Sequence, residues 1–372
     1  MKRFIISGGG TGGHIFPALA IANQLIKEHP DAEILFIGAN GKMEMTRVPE
    51  AGYNIEGLEV FGIRRDLSWS GIVNNLKLPF VLLKTMRKAK AIMRRFRPDV
   101  VIGVGGYASG PALRAAQALK IPTVIQEQNS YPGKTNKWLS KRAVKICVAY
   151  DGLEHFLPKD KIVKTGNPVR EDIINFKPKL TEAYSFFSLN KNKKTVLIVG
   201  GSQGARTINE AVLAHIECLK KTEYQLIWQT GEFFYNTNEA QLMELISENI
   251  KIVPFIKRMD LAYSIADYIV SRAGALAIAE LTIVGAPVIL IPLPTAAEDH
   301  QTANAKQLSN AGAAILLADK DSKEKLFATL ENLMNDDRIS EKMSQKIKQF
   351  ARPEAITEIT KEIIRNYSNF SL

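Results

Sequence analysis

Short unbroken apolar runs alternate along the chain with longer stretches in which apolar residues recur every three or four positions, and the two periods predict different elements. In the first half Phe4-Ile5-Ile6, Ile34-Leu35-Phe36-Ile37, residues 99–104, Thr123-Val124-Ile125 and residues 143–148 read as buried strands. In the second half the same reading applies to residues 195–199, Tyr268-Ile269-Val270 and Val288-Ile289-Leu290-Ile291. Apolar strands separated by helical spans predict an α/β class, with parallel sheets covered on both faces. The strand, glycine turn and helix that open the chain return at 195–206, so two Rossmann-like, doubly wound domains facing across a cleft are expected. Gly166-Asn167-Pro168-Val169-Arg170 is the natural linker, dividing 1–165 from 166–352. The tail 353–372 is expected to form a helix with Ala355, Ile356, Ile359, Ile363 and Ile364 as its apolar face, crossing back over the junction.

One stretch departs from this rhythm. Between 61 and 97 the apolar residues Trp69, Ile72, Val73, Leu76, Phe80 and Leu83 keep helical spacing, and Pro79 is expected to kink or end the helix. The segment carries Arg64, Arg65, Lys77, Lys84, Arg87, Lys88, Lys90, Arg94, Arg95 and Arg97 against one acid, Asp66, and so holds most of the net charge of +11. A cationic amphipathic stretch with Trp, Phe and Leu suits an anionic lipid surface. The alternative is a core stripe with a solvated basic face. Nucleic acid is not expected as a partner, because no basic run interleaves aromatics as a stacking platform would.

At 372 residues the chain exceeds one ordinary core, and two cysteines, Cys147 and Cys218, give no disulfide framework. Three apolar residues after Met1-Lys2-Arg3 are too few for a signal peptide. The most apolar region, 281–297, is broken by Pro287, Pro292 and Pro294 and does not read as a membrane span, so the chain is expected to stay in the cytosol.

Candidate chemistry gathers at the strand ends. Residues 8–13 hold five glycines in six positions before a helix, a turn that attracts an anion. Gly8, Gly10 and Gly13 match a dinucleotide fingerprint, yet Gly38-Ala39-Asn40 after the second strand offers no acid for a ribose. His14 stands at the mouth of the turn, where its imidazole would take a proton from a bound hydroxyl or serve as a cap or packing group. A second glycine turn, Gly105-Gly106-Tyr107, follows the strand at 99–104, and Gln128 and Asn129 follow another. Thr11, His14, Tyr107, Gln128 and Asn129 are thereby expected on one rim. In the second half the helix 275–284 is apolar almost all round and reads as buried, which obliges Glu280 to find a hydrogen-bonding partner or a ligand hydroxyl. Its start at Gly274-Ala275-Leu276 would face a phosphate. Residues 298–304 form a polar cluster suited to sugar hydroxyls, or a helix start capped by Asp299.

Seven of these stretches occur together and in order: GGGTGGHIFPALA at 8–20, GGYASGP at 105–111, EQNSYPGKTNKWLS at 127–140, TGNPVR at 165–170, GGSQGAR at 200–206, SRAGALAIAE at 271–280 and DHQTANA at 299–305. With them the chain closely resembles the MurG family of N-acetylglucosaminyltransferases of peptidoglycan synthesis. The resemblance implies a GT-B fold and inverting transfer of GlcNAc from UDP-GlcNAc to the 4-hydroxyl of a MurNAc-pentapeptide carried on undecaprenyl pyrophosphate. It implies peripheral work on the cytoplasmic face of the membrane, no cofactor and no metal; it leaves protein partners unknown. By motif, Glu280 would bind the donor ribose, Ser202 and Arg170 the nucleotide and its phosphates, Ile256 the uracil, and Gln301 and Asn129 the GlcNAc. Thr11, Gly12, Gly13, Ala275 and Leu276 join that set. Gly10, Thr11, Gly105, Gly106 and Tyr107 would receive the acceptor pyrophosphate, and His14 matches the family's base candidate. The one D-x-D, Asp319-Lys320-Asp321, reads as a solvated loop. Two other classes stay open: a UDP-GlcNAc 2-epimerase, which would share the donor contacts without a lipid site, and a non-catalytic polyanion binder.

Overall fold

The computed structural model describes residues 2–10, 12–60 and 69–368, with side chains at 69–80 and 367–368 left aside. It divides into two units, Met1–Pro168 joined by Glu354–Leu372, and Val169–Pro353.

The first unit is a seven-stranded sheet of β1 (Arg3–Ser7), β2 (Glu33–Ala39), β3 (Asn54–Leu58), β4 (Val100–Gly103), β5 (Thr123–Glu127), β6 (Lys145–Val148) and β7 (Ile162–Lys164). The order is β3-β2-β1-β4-β5-β6-β7, and the paired strands run parallel. Alternation along each strand splits the core in two. Ile5, Ile37, Val101 and Ile125 point to one face, where Ala89, Ile92 and Met93 of the helix Trp69–Phe96 cover them. Phe4, Ile6, Phe36, Ile102 and Val124 point to the other, against Ala18, Ile21 and Leu25 of the helix Gly12–Glu28. Ile359 and Ile363 complete this second layer, so the tail helix Ala355–Ser368 belongs to the unit that opens the chain.

The second unit repeats the plan with β8 (Thr195–Val199), β9 (Gln225–Gln229), β10 (Ile250–Val253), β11 (Tyr268–Arg272), β12 (Val288–Ile291) and β13 (Ile315–Leu316), in the parallel order β10-β9-β8-β11-β12-β13. Leu197, Ile269 and Leu290 face one core, and Val196, Ile198, Val270 and Ile291 the other. In each sheet the order reverses once, between β1 and β4 and between β8 and β11. Ligand crevices of open α/β sheets lie at the carboxyl ends of the strands at such a reversal.

The basic segment fits its expectation in part. The helix Trp69–Phe96 runs past Pro79, which therefore does not end it. Arg64, Arg65 and Asp66 fall outside the described residues, as do the side chains of Trp69, Ile72, Val73, Leu76, Lys77 and Phe80. Lys84 pairs with Glu59 at 3.1 Å, Lys88 donates to the Gly57 carbonyl at 2.8 Å, and Arg95 pairs with Glu56. Those three cations hold the helix to β3 and its exit. Leu83, Arg87 and Arg94, spaced four and seven residues apart, share an exposed stripe. Cys147 is buried on β6 and Cys218 is exposed, both as thiols. Among the described residues no helix is long and apolar enough to cross a membrane.

Candidate functional site

Both reversals carry the polar and glycine-rich turns. In the first unit the turn 8–10 leaves β1 and meets the turn 105–107 that leaves β4. Only glycine fits where they touch: a Cβ on Gly106 (φ +87°) would lie 2.1 Å from the Gly9 carbonyl oxygen, and one on Gly105 (φ +93°) 2.7 Å from the His14 ring. Tyr107 lies beside Gly10 and is 61% exposed. Gly10, His14, Gly105, Gly106 and Tyr107 are therefore together. Thr11 is outside the described residues.

Three expectations change here. Gly12, Gly13 and His14 are not in the loop; they form the first turn of the helix Gly12–Glu28, so the backbone N–H groups that lack a partner within the helix belong to them. Gln128 is buried rather than on a rim, its amide donating to the Val104 carbonyl at 2.9 Å. And the Gly10 N–H already has an anion: it donates at 2.8 Å to the carboxylate of Glu44, whose other oxygen accepts from Ala39 N–H at 3.0 Å. Sequence reasoning passed over Glu44, which is 1% exposed and reaches back from the start of the helix Glu44–Glu50.

At the end of β5, Glu127 organises the turn that bears Asn129. Its carboxylate accepts from Asn136 Nδ2 at 2.8 Å, from Asn129 N–H at 3.1 Å and from Gly133 N–H at 3.3 Å. Burial pushes its pKa up, and these hydrogen bonds oppose the shift. The linker is anchored in the same unit: Asn167 is buried, accepts from Gln126 Nε2 at 2.9 Å and donates to the Gln128 carbonyl at 2.9 Å.

In the second unit β8 runs into the exposed Ser202, and β11 into Gly274 and the helix Ala275–Val284. That helix is less buried than its composition predicts: Ala275, Ile278, Leu281, Thr282 and Val284 are inside, but Leu276 and Glu280 are only partly covered. Glu280 finds two protein partners there. Tyr263 donates to it at 3.0 Å, and the Arg170 guanidinium stands 3.7 Å away. Burial raises its pKa; Arg170 and the tyrosine hydroxyl pull it back. Arg170 is 40% exposed, and its Nη1 also stands 3.7 Å from Asp172. The Ile256 side chain enters the core and its N–H donates to Gln229 Oε1 at 3.2 Å, so any contact from Ile256 to a base is made through the backbone. Gln301 accepts from Leu293 N–H at 2.9 Å, which orients its amide and fixes the loop before it. Asp299 gives no side-chain cap to the helix His300–Asn310; instead Glu298 (φ 54°) and Asp299 (φ 52°) are both left-handed, a strained pair at the polar cluster.

Of the D-x-D, Lys320 is exposed as expected, but Asp319 is not solvated. Asp319 pairs with Arg272 and accepts from Thr207 at 2.5 Å, while Arg272 also donates to the carbonyls of Ile291 (3.2 Å) and Pro292 (3.1 Å). One buried arginine thus ties the ends of β11 and β12 to the helix Arg206–Ala214.

Two family models match the chain, the N-terminal domain of glycosyltransferase family 28 over residues 4–148 and the C-terminal domain of that family over 195–359. A protein of Flavobacterium psychrophilum described as UDP-N-acetylglucosamine–N-acetylmuramyl-(pentapeptide) pyrophosphoryl-undecaprenol N-acetylglucosamine transferase is 50% identical, covering 98% of this chain and 97% of its own. One of Parabacteroides distasonis with the same description is 49% identical over 98% of both chains. Among solved structures, MurG of Acinetobacter baumannii is 30% identical with a TM-score of 0.78, covering 98% of this chain and all of its own. UDP-GlcNAc 2-epimerase of Neisseria meningitidis aligns over 98% of this chain with a TM-score of 0.65 at 17% identity, a likeness of fold alone.

Proposed function

Since the chain belongs to the MurG family of glycosyltransferases, a GT-B fold within glycosyltransferase family 28, we infer that it transfers N-acetylglucosamine from UDP-GlcNAc to the lipid-linked MurNAc-pentapeptide, the step that turns lipid I into lipid II. The observation that carries this is the match at about half identity to proteins of that activity over nearly the whole of both chains. The same fold serves epimerases, so fold alone does not choose between the two readings.

We propose the following division of labour. The acceptor 4-hydroxyl oxygen attacks the anomeric carbon of the donor sugar, the bond from that carbon to the β-phosphate oxygen breaks, and UDP departs with the bonding pair, inverting the centre. His14 takes the hydroxyl proton, a general-base contribution of about 10² to 10⁴-fold. Its place against Gly105, at the reversal of the first sheet, supports that role. Arg170, Ser202 and the helix start at Ala275 and Leu276 meet the charge that gathers on UDP; one well-placed donor of this kind contributes about 10² to 10³-fold. Glu280, held by Tyr263 and Arg170, receives the ribose hydroxyls, Ile256 the uracil, and Gln301 and Asn129 the GlcNAc. The start of the helix Gly12–Glu28, with Thr11, and the turn Gly105-Gly106-Tyr107 take the acceptor pyrophosphate; Gly12 and Gly13 thereby pass from the expected donor set to the acceptor side, because they open the helix that carries His14. Gly10 serves that side by shaping the turn, because its N–H is committed to Glu44. The exposed stripe of Leu83, Arg87 and Arg94 meets the anionic membrane from which the acceptor is drawn.

Turnover of UDP-GlcNAc with and without a MurNAc-pyrophosphoryl-lipid acceptor tests the whole. Transfer that requires the acceptor is expected; epimerised sugar released without it would replace this reading with the epimerase one.

A further inference from the structure

Glu44 is a buried carboxylate for which the transfer chemistry has no direct use. The chain nonetheless makes room for it from two sides. A Cβ on Gly9 would lie 2.2 Å from its carboxyl carbon, and one on Gly38 would lie 2.6 Å from its Cγ. Its two oxygens are spent on Gly10 and Ala39, one backbone N–H from the turn after β1 and one from the end of β2. Those strands are neighbours, paired from Arg3 with Glu33 to Ser7 with Ile37, and beyond that pairing the carboxylate is the bridge that continues the connection. Hydrogen bonds to a carboxylate are about twice as strong as those between neutral groups.

We propose that Glu44 is a positioning residue of the acceptor side, an internal anion that occupies the Gly10 N–H and thereby fixes the glycine turn in the shape that seats His14 over Gly105. The chain of contacts is continuous. Glu44 fixes Gly10; the neighbouring Gly9 carbonyl lies against Gly106; the His14 ring lies against Gly105. A second consequence follows from charge. With a carboxylate 2.8 Å from the Gly10 nitrogen, a pyrophosphate gains nothing at that amide and is repelled from it, so it is directed to the first-turn amides of the helix that carries His14. The ligand's anion and the base are then referred to the same helix end, which aligns the hydroxyl to be deprotonated with the ring that receives its proton.

This inference rests on the transferase reading with His14 as base, and the experiment separates the two. Glu44→Gln keeps size but turns one acceptor oxygen into an N–H₂ that faces an N–H, so one of the two amides loses its partner. Glu44→Asp keeps the charge but is too short to span both. For each, kcat, acceptor KM and UDP-GlcNAc Kd are measured beside His14→Ala, together with melting temperature and amide hydrogen exchange across 7–14. Expected for Glu44→Gln is a loss of about 10- to 100-fold in kcat with faster exchange at the turn. Acceptor KM is expected within about threefold and donor Kd within about twofold, because the donor residues other than Asn129 belong to the second unit and Asn129 is held by Glu127 instead of Glu44. An unimpaired Glu44→Gln beside a dead His14→Ala overturns the inference. So does a tenfold rise in acceptor KM at unchanged kcat, which would make Glu44 a support of acceptor binding and not of the base. So does failure of both Glu44 variants to fold, which would assign the carboxylate to the fold alone. Normal turnover by His14→Ala instead overturns the underlying assignment of the base.

Discussion

Two glutamates show how far a single side chain can be read before its surroundings are known. Glu280 sits in an apolar run, and that alone required a partner; the structure supplies Tyr263 and Arg170. Glu280→Ala is expected to weaken UDP-GlcNAc binding by about 1 to 3 kcal/mol, measured by calorimetric titration, with unchanged affinity removing it from the site. The same residue sets a pH dependence. Burial raises its carboxyl above the ordinary value of 4.5, so the folded chain holds that proton to higher pH than the unfolded chain does. Its contribution is complete below the ordinary value and is lost as pH rises through the raised one. Glu280→Gln should therefore flatten the decline in stability above about pH 4.5, followed by urea unfolding across a pH series. Glu44 gave no such signal. Its partners Gly10 and Ala39 are set by a turn and a strand end that approach it only in the folded sheet, so neither spacing nor composition marks it.

At the scale of elements, what the sequence revealed were the long apolar strands and the glycine turns that follow them, because period and turn chemistry are local. β3, β7, β9 and β10 passed unread. Asn54–Leu58 contains Glu56 and Gly57 in a five-residue strand, and Ile162–Lys164 spans three residues, too little for a periodic pattern. The helix start at Gly12 was drawn too late because glycines read as loop, although their N–H groups are what the helix end offers. The tail helix was legible from Ile359 and Ile363, spaced four apart, and both are fully buried against Phe4 and Ile6. Ile359→Ala should cost about 2 to 5 kcal/mol, and thermal or urea unfolding should show the loss. A cost below about 1 kcal/mol would mean that the helix is a loosely held appendage.

At the scale of the molecule, charge and connectivity carry the remaining consequences. Of the basic segment's described side chains, Lys84, Lys88 and Arg95 are engaged within the first unit; of Arg87, Lys90, Arg94 and Arg97, Arg87 and Arg94 share the exposed stripe with Leu83 and are the pair to test. Each cation near an anionic surface is worth roughly 1 kcal/mol, fading within a Debye length. The double variant with Arg87→Glu and Arg94→Glu should co-sediment less with anionic vesicles at low salt while keeping UDP affinity; equal sedimentation would move the membrane contact elsewhere. The tail helix, finally, gives the chain a history. The core around Phe4 and Ile6 closes only with Ile359 and Ile363, whereas the unit Val169–Pro353 is continuous in sequence. On a ribosome adding about 5 to 20 residues per second, the half that is made first must wait for the last segment to emerge, and the half made second can mature before it. Protease added to chains stalled just short of the tail should therefore spare 169–353 and cut within 1–168, a reversal of the order of synthesis.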